Sequence, residues 1–246
     1  MNLLAIDTAT STFSVALAAG KNTFIFEADA GMRHSELIMD IIDMLMKKAA
    51  QRGAQREALR PEDLNGVVCM GGPGSFTGLR IGFSVAKGIA LALGIPFAPI
   101  PTLDCMARPF SSWPGIVAPV IDAKKSAFFC ALYRNGRRLC PAMDAQPAEI
   151  FRIIAETAAS EQTLLFGPDA QMLYEKLPFI ETSTGTPTLP SPANIILGKG
   201  LRWGNAGTLL AIAAERDIFV NSDNNLFSGP EYIRKSDAEI ERKEKS

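Results

Sequence analysis

The stretch Gly71-Gly72-Pro73-Gly74-Ser75-Phe76-Thr77-Gly78-Leu79-Arg80-Ile81-Gly82 constrains this chain more than any other. The apolar run before it, Val67 to Met70, predicts a buried strand. The pattern after it predicts a helix to about Leu93, stopped by Gly94 and Pro96. The glycines therefore mark a strand-to-helix turn, where unpaired N–H groups and the helix dipole favour an anion. They suit a second purpose equally. Gly78, Gly82, Ala86 and Ala90 recur at every fourth position and give the helix one smooth face, along which another backbone can approach. Glycine inside a helix costs roughly 1 kcal/mol relative to alanine, so close packing has to offset it. No lysine follows as in a Walker loop, and the spacing departs from the dinucleotide fingerprint. On these residues alone, phosphate binding and close packing are both open readings.

The rest of the chain narrows the class. At 246 residues it can form one large or two smaller domains with ample core. No run reaches the roughly 18 apolar residues that a membrane span needs. The first strand begins at Leu3 with no basic segment or cleavage site before it, so a cytoplasmic protein without a membrane segment is expected. Cys69, Cys105, Cys130 and Cys140 lack metal-ligand spacing and read as small apolar core residues. Lys and Arg number 25 against 26 Asp and Glu, which excludes a general electrostatic attraction for nucleic acid.

In chain order, Leu3 to Asp7, Phe13 to Ala18 and Thr23 to Glu27 read as antiparallel strands, with Ala19-Gly20-Lys21-Asn22 as a hairpin turn. A helix follows from about Ser35 to Ala50, then the Val67 strand, the glycine helix and a strand from Phe97 to Ile100. Prolines 99, 101, 109 and 114 punctuate a connection. The lobe boundary falls there, giving lobes over residues 1–102 and 103–246. Ile116 to Ile121 and Phe128 to Tyr133 read as further strands, with Asn135-Gly136 as a turn. Ile121-Asp122-Ala123-Lys124-Lys125 loosely repeats the strand-then-Asp logic of Ile6-Asp7, as a duplicated fold would, and the two lysines read as a solvated turn in preference to a phosphate clamp. Beyond these, Pro147 to Ala159 reads as a helix, Thr163 to Phe166 as a strand, 182–192 as a loop and Ala206 to Arg216 as a helix. The charged tail from about Lys235 reads as flexible.

GGPGSFTGLRIG resembles the signature of the bacterial TsaB (YeaZ) family, which takes part in making threonylcarbamoyladenosine in tRNA. Ile6-Asp7-Thr8-Ala9-Thr10 with Ser14-Val15-Ala16-Leu17, His34-Ser35-Glu36, and Pro230-Glu231-Tyr232-Ile233-Arg234 with Ala238-Glu239 resemble other segments of that family. The resemblance is dense over residues 1–125, thin to about 225, and returns at the end. It implies a two-lobed α/β fold of the actin and sugar-kinase superfamily (ASKHA, ribonuclease H-like), each lobe a mixed sheet flanked by helices. In that superfamily the first-strand Asp and nearby hydroxyls face the metal and phosphates of ATP. Asp7, Thr8, Thr10, Gly72, Gly74, Ser75, Thr77 and Asp122 are thereby candidates for a degenerate nucleotide-like site. Asp7 and the threonines suit a polar turn capping the strand equally well.

Between Leu37 and Met46 only Asp40 and Asp43 are polar, far more apolar surface than a helix lying on one core requires. Either both faces are buried within the chain or one meets a partner, and Met39, Met44 and Met46 suit an association surface. The resemblance implies that this helix contacts the related subunit TsaD, with His34, Leu37, Ile38, Ile41, Met44 and Leu45 as interface candidates. It also leaves room for a homodimer through the same helix. In TsaD the matching helix starts with two metal-binding histidines four apart. Here Ile38 stands four after His34, the only histidine, so a metal centre is not expected.

The expectation is a non-catalytic scaffold, with no cofactor, that joins TsaD to the ATPase TsaE. TsaC makes threonylcarbamoyl-adenylate, and TsaD transfers the group to adenosine 37 of tRNAs reading ANN codons. Contact with tRNA is expected only through the complex. The alternatives are a small-molecule kinase or ATPase of the superfamily, for which Asp7 and Asp122 could supply ligands, and a metallopeptidase-like protein. A peptidase needs a metal or an activated nucleophile, and Ser75 has no second histidine to serve as base.

Overall fold

Side chains on a strand alternate between faces, so a strand apolar at every position must be covered on both sides. β1 (Asn2–Asp7) and β4 (Gly66–Gly72) have that pattern and lie at the centre of the first sheet. The computed structural model describes residues 1–29, 31, 33–52, 59–177, 194–198, 204–215, 218–219, 226 and 228–233. The expected loop at 182–192, Arg234, Ala238, Glu239 and the tail from Lys235 lie outside them.

β1 pairs antiparallel with β2 (Thr12–Ala19), which pairs antiparallel with β3 (Asn22–Asp29) across a turn at Gly20, whose φ is 60°. On its other side β1 runs parallel to β4, and β4 parallel to β5 (Phe97–Pro101). The order is therefore β3-β2-β1-β4-β5. α1 (His34–Arg52) and α2 (Phe76–Leu93) cover one face, packing on Leu4, Ile6, Phe13, Val15 and Leu17. By length and composition α2 could cross a membrane, a candidate that counting consecutive apolar residues passed over. Its Gly78, Leu79, Gly82, Phe83, Ala86 and Ala90 are buried within the protein. It ends as expected at Gly94, in the left-handed conformation with φ 64°.

After α3 (Thr102–Ala107), the second sheet repeats the first. β6 (Ile116–Lys124) pairs antiparallel with β7 (Ala127–Cys130), and β7 with β10 (Met143–Ala145); the short β8 (Tyr133–Arg134) and β9 (Arg137–Arg138) lie to one side. α4 (Pro147–Ala158) leads to β11 (Thr163–Phe166), and α5 (Ala170–Tyr174) precedes β12 (Ile195–Leu197). β6, β11 and β12 are parallel, so β10-β7-β6-β11-β12 matches the first sheet strand for strand in order and direction. The two-lobed, actin-like architecture expected from the resemblance is present, two mixed sheets flanked by helices. The single strand expected over Phe128 to Tyr133 is broken instead. β7 pairs with the end of β6, whereas β8 joins it only at Val117–Tyr133.

The last helix, α6 (Ala206–Glu215), follows β12 in sequence yet packs on the first sheet, burying Leu209 and Ile212 against Leu3, Ala5 and Val68. α3, which follows β5, buries Leu103 and Met106 against Val117 and Ile121 of the second sheet and turns Cys105 towards the first. Each sheet is thus closed by a helix that follows the other. All four cysteines are free thiols, three of them buried and Cys140 half-buried.

Candidate functional site

Asp7 ends β1, where the first sheet faces the gap between the lobes, but its carboxylate is turned inward and fully buried. Oδ1 accepts the Ala9 N–H at 3.0 Å, and Oδ2 accepts the Asn205 backbone N–H at 2.9 Å and its side-chain Nδ2 at 3.0 Å. Burial pushes the carboxyl above its ordinary range, while those donors and His34 pull it back. Asp7 thus ties β1 to the start of α6. Thr8 is committed as well, its hydroxyl donating to the Gly78 carbonyl at 2.7 Å. The glycine spacing explains itself at the same contact. A methyl on Gly78 would overlap the Thr8 carbonyl, one on Gly82 the Thr8 hydroxyl, and one on Gly74 the Ala9 carbonyl. Close packing accounts for these glycines.

Ser75 caps α2, its Oγ accepting the Gly78 N–H at 3.2 Å, and Thr77 is exposed beside it. Gly72, with φ 108°, precedes a cis Pro73 and donates its N–H to Thr102 Oγ1 at 3.2 Å. The C-terminal segment lies against this loop. Glu231 donates its N–H to the Gly71 carbonyl at 2.7 Å, and its own carbonyl occupies the space a side chain on Gly72 would need. Tyr232 packs on Phe76 with ring centroids 5.1 Å apart, and Arg80 lies 3.8 Å above the Phe76 ring while bonding the Tyr232 hydroxyl at 3.1 Å. Two of the motifs read from sequence therefore meet in space.

Between the lobes lies a cleft of about 820 Å³. Thr10, Ser11, His34, Gly74, Ser75 and Thr77 line it from the first lobe, and Asp122, Lys124, Lys125, Phe129 and Asp169 from the second. Asp122 is half-buried and engaged. Its Oδ1 accepts the Lys124 N–H and its Oδ2 the Lys124 Nζ, both at 2.7 Å, while its own N–H donates to Asp169 Oδ2 at 2.7 Å. The hydrogen bond from its Nζ to the Asp122 carboxylate holds the Lys124 ammonium above its ordinary pKa. Lys124, Lys125 and Ser126 all carry positive φ, a strained turn that the expectation of a plain solvated loop did not include. Of the predicted nucleotide-like set, Thr10, Gly74, Ser75, Thr77 and Asp122 line the cleft. Asp7, Thr8 and Gly72 serve the fold behind it.

The interface candidates divide just as clearly. Ile38 and Leu45 face the core with Ile42, Met46 and Ala49, and His34 is buried too. Leu37, Ile41 and Met44 form a half-exposed stripe at the edge of that face, and Met39 is 55% exposed. Asn205, Phe129 and Asp169 escaped the sequence reading. Asn205 and Asp169 left a signal, a capping residue type directly before a helix. Among the described residues no three His, Cys, Asp or Glu side chains gather as a metal site would need.

A duplicated pair of mixed sheets around a cleft, with the first-strand aspartate bonded into the fold, defines a two-lobed actin-like protein. A family model described as TsaD, tRNA N6-adenosine threonylcarbamoyltransferase, matches residues 27–185. A tRNA threonylcarbamoyladenosine biosynthesis protein TsaB from Bacillus subtilis is 29% identical over 192 residues, 76% of this chain and 78% of its own length. The TsaB of Escherichia coli K12 is 33% identical over 138 residues, 55% of this chain and 56% of its own. The solved structure of YeaZ from Pseudomonas aeruginosa aligns over 94% of this chain and 99% of its own with a TM-score of 0.68 at 20% identity, a likeness of fold. The chain belongs to this threonylcarbamoyltransferase-type family, on its TsaB (YeaZ) branch.

Proposed function

We propose that the chain serves threonylcarbamoyladenosine synthesis in tRNA as a non-catalytic scaffold. In this reading it binds a TsaD-type catalytic subunit and the ATPase TsaE, and supports modification of adenosine 37 in tRNAs reading ANN codons. The names of its TsaB relatives support the pathway. The observation that carries the scaffold role is the outer edge of α1, where Leu37, Ile41 and Met44 continue the core stripe into solvent beside Met39. Apolar side chains left half-exposed along a long helix suit a partner helix. Asp7 supports the absence of turnover, because a metal or phosphate would have to displace the donors from Ala9 and Asn205. The lobe division near residue 102 is part of the same proposal, with α6 as the exception that crosses it.

The test is co-purification with the TsaD-type subunit of the same organism. Met44→Asp and Leu37→Asp should keep the melting temperature close to wild type and abolish the complex. Ile38→Asp, which puts a carboxylate in the core, should unfold the protein. If the two outer variants fold and still bind, the surface lies elsewhere. A nucleotide-turnover reading draws on the cleft and the N-terminus of α2 at its wall. A Mg²⁺-dependent ATPase rate on the order of 1 s⁻¹, lost in an Asp7→Ala variant that remains folded, would establish it in place of the scaffold.

A further inference from the structure

Towards its C-terminal end the chain touches both lobes again. Leu226 packs on the core of the first lobe, and Ile233 on the second-lobe core that holds Leu103, Val117 and Ile121. Ser228 to Ile233 form neither helix nor strand, and they run back along α2. Lys87, about three turns into that helix, donates from Nζ to the Leu226 carbonyl at 2.9 Å and also to the Ser228 carbonyl. Glu231 and Tyr232 then reach Gly71, Phe76 and Arg80 at the helix start. Glu231, Tyr232 and Ile233 are also part of the cleft wall.

This attachment differs in kind from the other ties between the lobes. α3 and α6 bury whole faces, with Leu103 and Leu209 fully enclosed. In the C-terminal segment Glu231 and Tyr232 are exposed, Leu226, Ser228, Pro230 and Ile233 are half-buried, and none of its described residues is fully buried. A stretch with so little buried surface opens at a free energy well below that of global unfolding. Its release strands no charge either. Lys87 is half-buried, and its ammonium lies 5.7 and 5.8 Å from the Phe83 and Phe97 ring centroids, so water can replace the two carbonyls while the rings still favour the cation. Arg80 likewise keeps its place 3.8 Å above Phe76 when Tyr232 leaves. The seats of the segment are therefore preformed on α2.

We propose that the segment carrying Leu226 and Ser228 to Ile233 is a detachable strap, latched on Lys87, that walls one flank of the inter-lobe cleft and opens while both lobes stay folded. Seated, it places Glu231 and Tyr232 against the glycine loop and the first turn of α2. Released, it takes that part of the wall away and uncovers Phe76 and Arg80. The device is a property of this chain alone. Its test reads neither partner binding nor turnover, so its outcome is independent of the scaffold role.

The Glu231 amide is the reporter, because its N–H is bonded to the Gly71 carbonyl only while the strap is seated. Hydrogen exchange of the full chain is followed by NMR at rising urea below the unfolding midpoint. The Glu231 amide should exchange through an opening that barely depends on urea, since little surface is exposed in it. The amides of β1 and β4, at the centre of the first sheet, should instead accelerate steeply as global unfolding does. Lys87→Met keeps an unbranched side chain beside Phe83 and Phe97 but removes the donor. It should speed exchange at Glu231 about tenfold or more, the loss of a charge-assisted bond. A Glu231 amide that follows the urea dependence of β1 and β4 overturns the proposal, and so does a Glu231 rate unchanged in Lys87→Met. Should that variant fail to fold, the wild-type urea series still decides whether the strap opens by itself.

Discussion

Asp7 ends β1 and Asp122 lies two residues before the end of the corresponding β6, and each accepts the N–H of the residue two further on, at 3.0 and 2.7 Å. Their surroundings separate them. Asp7 is sealed by donors from Asn205, 198 residues away, while Asp122 stays in the cleft wall holding Lys124. Asp7→Asn offers one oxygen where the carboxylate had two and places an NH₂ against donors, so it should lower stability by about 1–3 kcal/mol. A urea-unfolding midpoint checks this. Both aspartates were legible in the sequence as strand ends, although β6 runs on past Asp122 to Lys124. The partner that removes one from chemistry was not, because no local pattern links residue 7 to residue 205. His34 gives a second prediction. Burial holds its pKa below the ordinary value of about 6.5, although the Ser11 carbonyl and Asp7 act the other way. The unfolded chain therefore takes up a proton that the folded one resists, so this contribution is complete above about pH 6.5 and lost as the pH falls below it. Between about pH 7.5 and 5.5 the wild-type midpoint should drop more than that of His34→Phe; equal drops would sink the assignment. Asp7, the facing carboxylate, is common to both proteins.

At the scale of one element, α2 shows how two readings of the same glycines are settled. Gly78 and Gly82 pack on Thr8, whereas a methyl on Gly88, on the exposed side of the same helix, would meet nothing within 4 Å. Gly88→Ala should therefore raise stability by about 0.5–1 kcal/mol through helix propensity. Gly78→Ala should cost about 1–3 kcal/mol or more, because the Thr8 backbone must move. Thermal melts of the pair decide it, and equal effects would mean that the smooth face is incidental. The every-fourth spacing was visible from residues alone, but the identity of the backbone it meets was not. α1 was legible in the same partial way. Its excess of apolar residues was plain, yet the core claimed Ile38 and Leu45 and left Leu37, Ile41 and Met44 at the edge. A helical pattern gives angular spacing without saying where the sheet lies.

For the whole molecule, the repeat of Ile6-Asp7 as Ile121-Asp122 announced the duplication, and the strand order bears it out. The crossing of α3 and α6 between sheets had no sequence signal, since an apolar helix fits either sheet. Because those helices join the two cores, the protein should unfold in a single calorimetric transition with equal calorimetric and van't Hoff enthalpies. A fragment of residues 1–102 should not fold, as Leu3, Ala5 and Val68 would lack α6. Two separate transitions, or a folded fragment, would contradict this. The same crossing governs geometry. Swinging the lobes apart would lift α6 from the first sheet or α3 from the second, so the angle between them resists adjustment. Under the proposed scaffold role, a subunit docking on α1 would find the far lobe already aimed, and a third component would be presented to it at an orientation set when the chain folded.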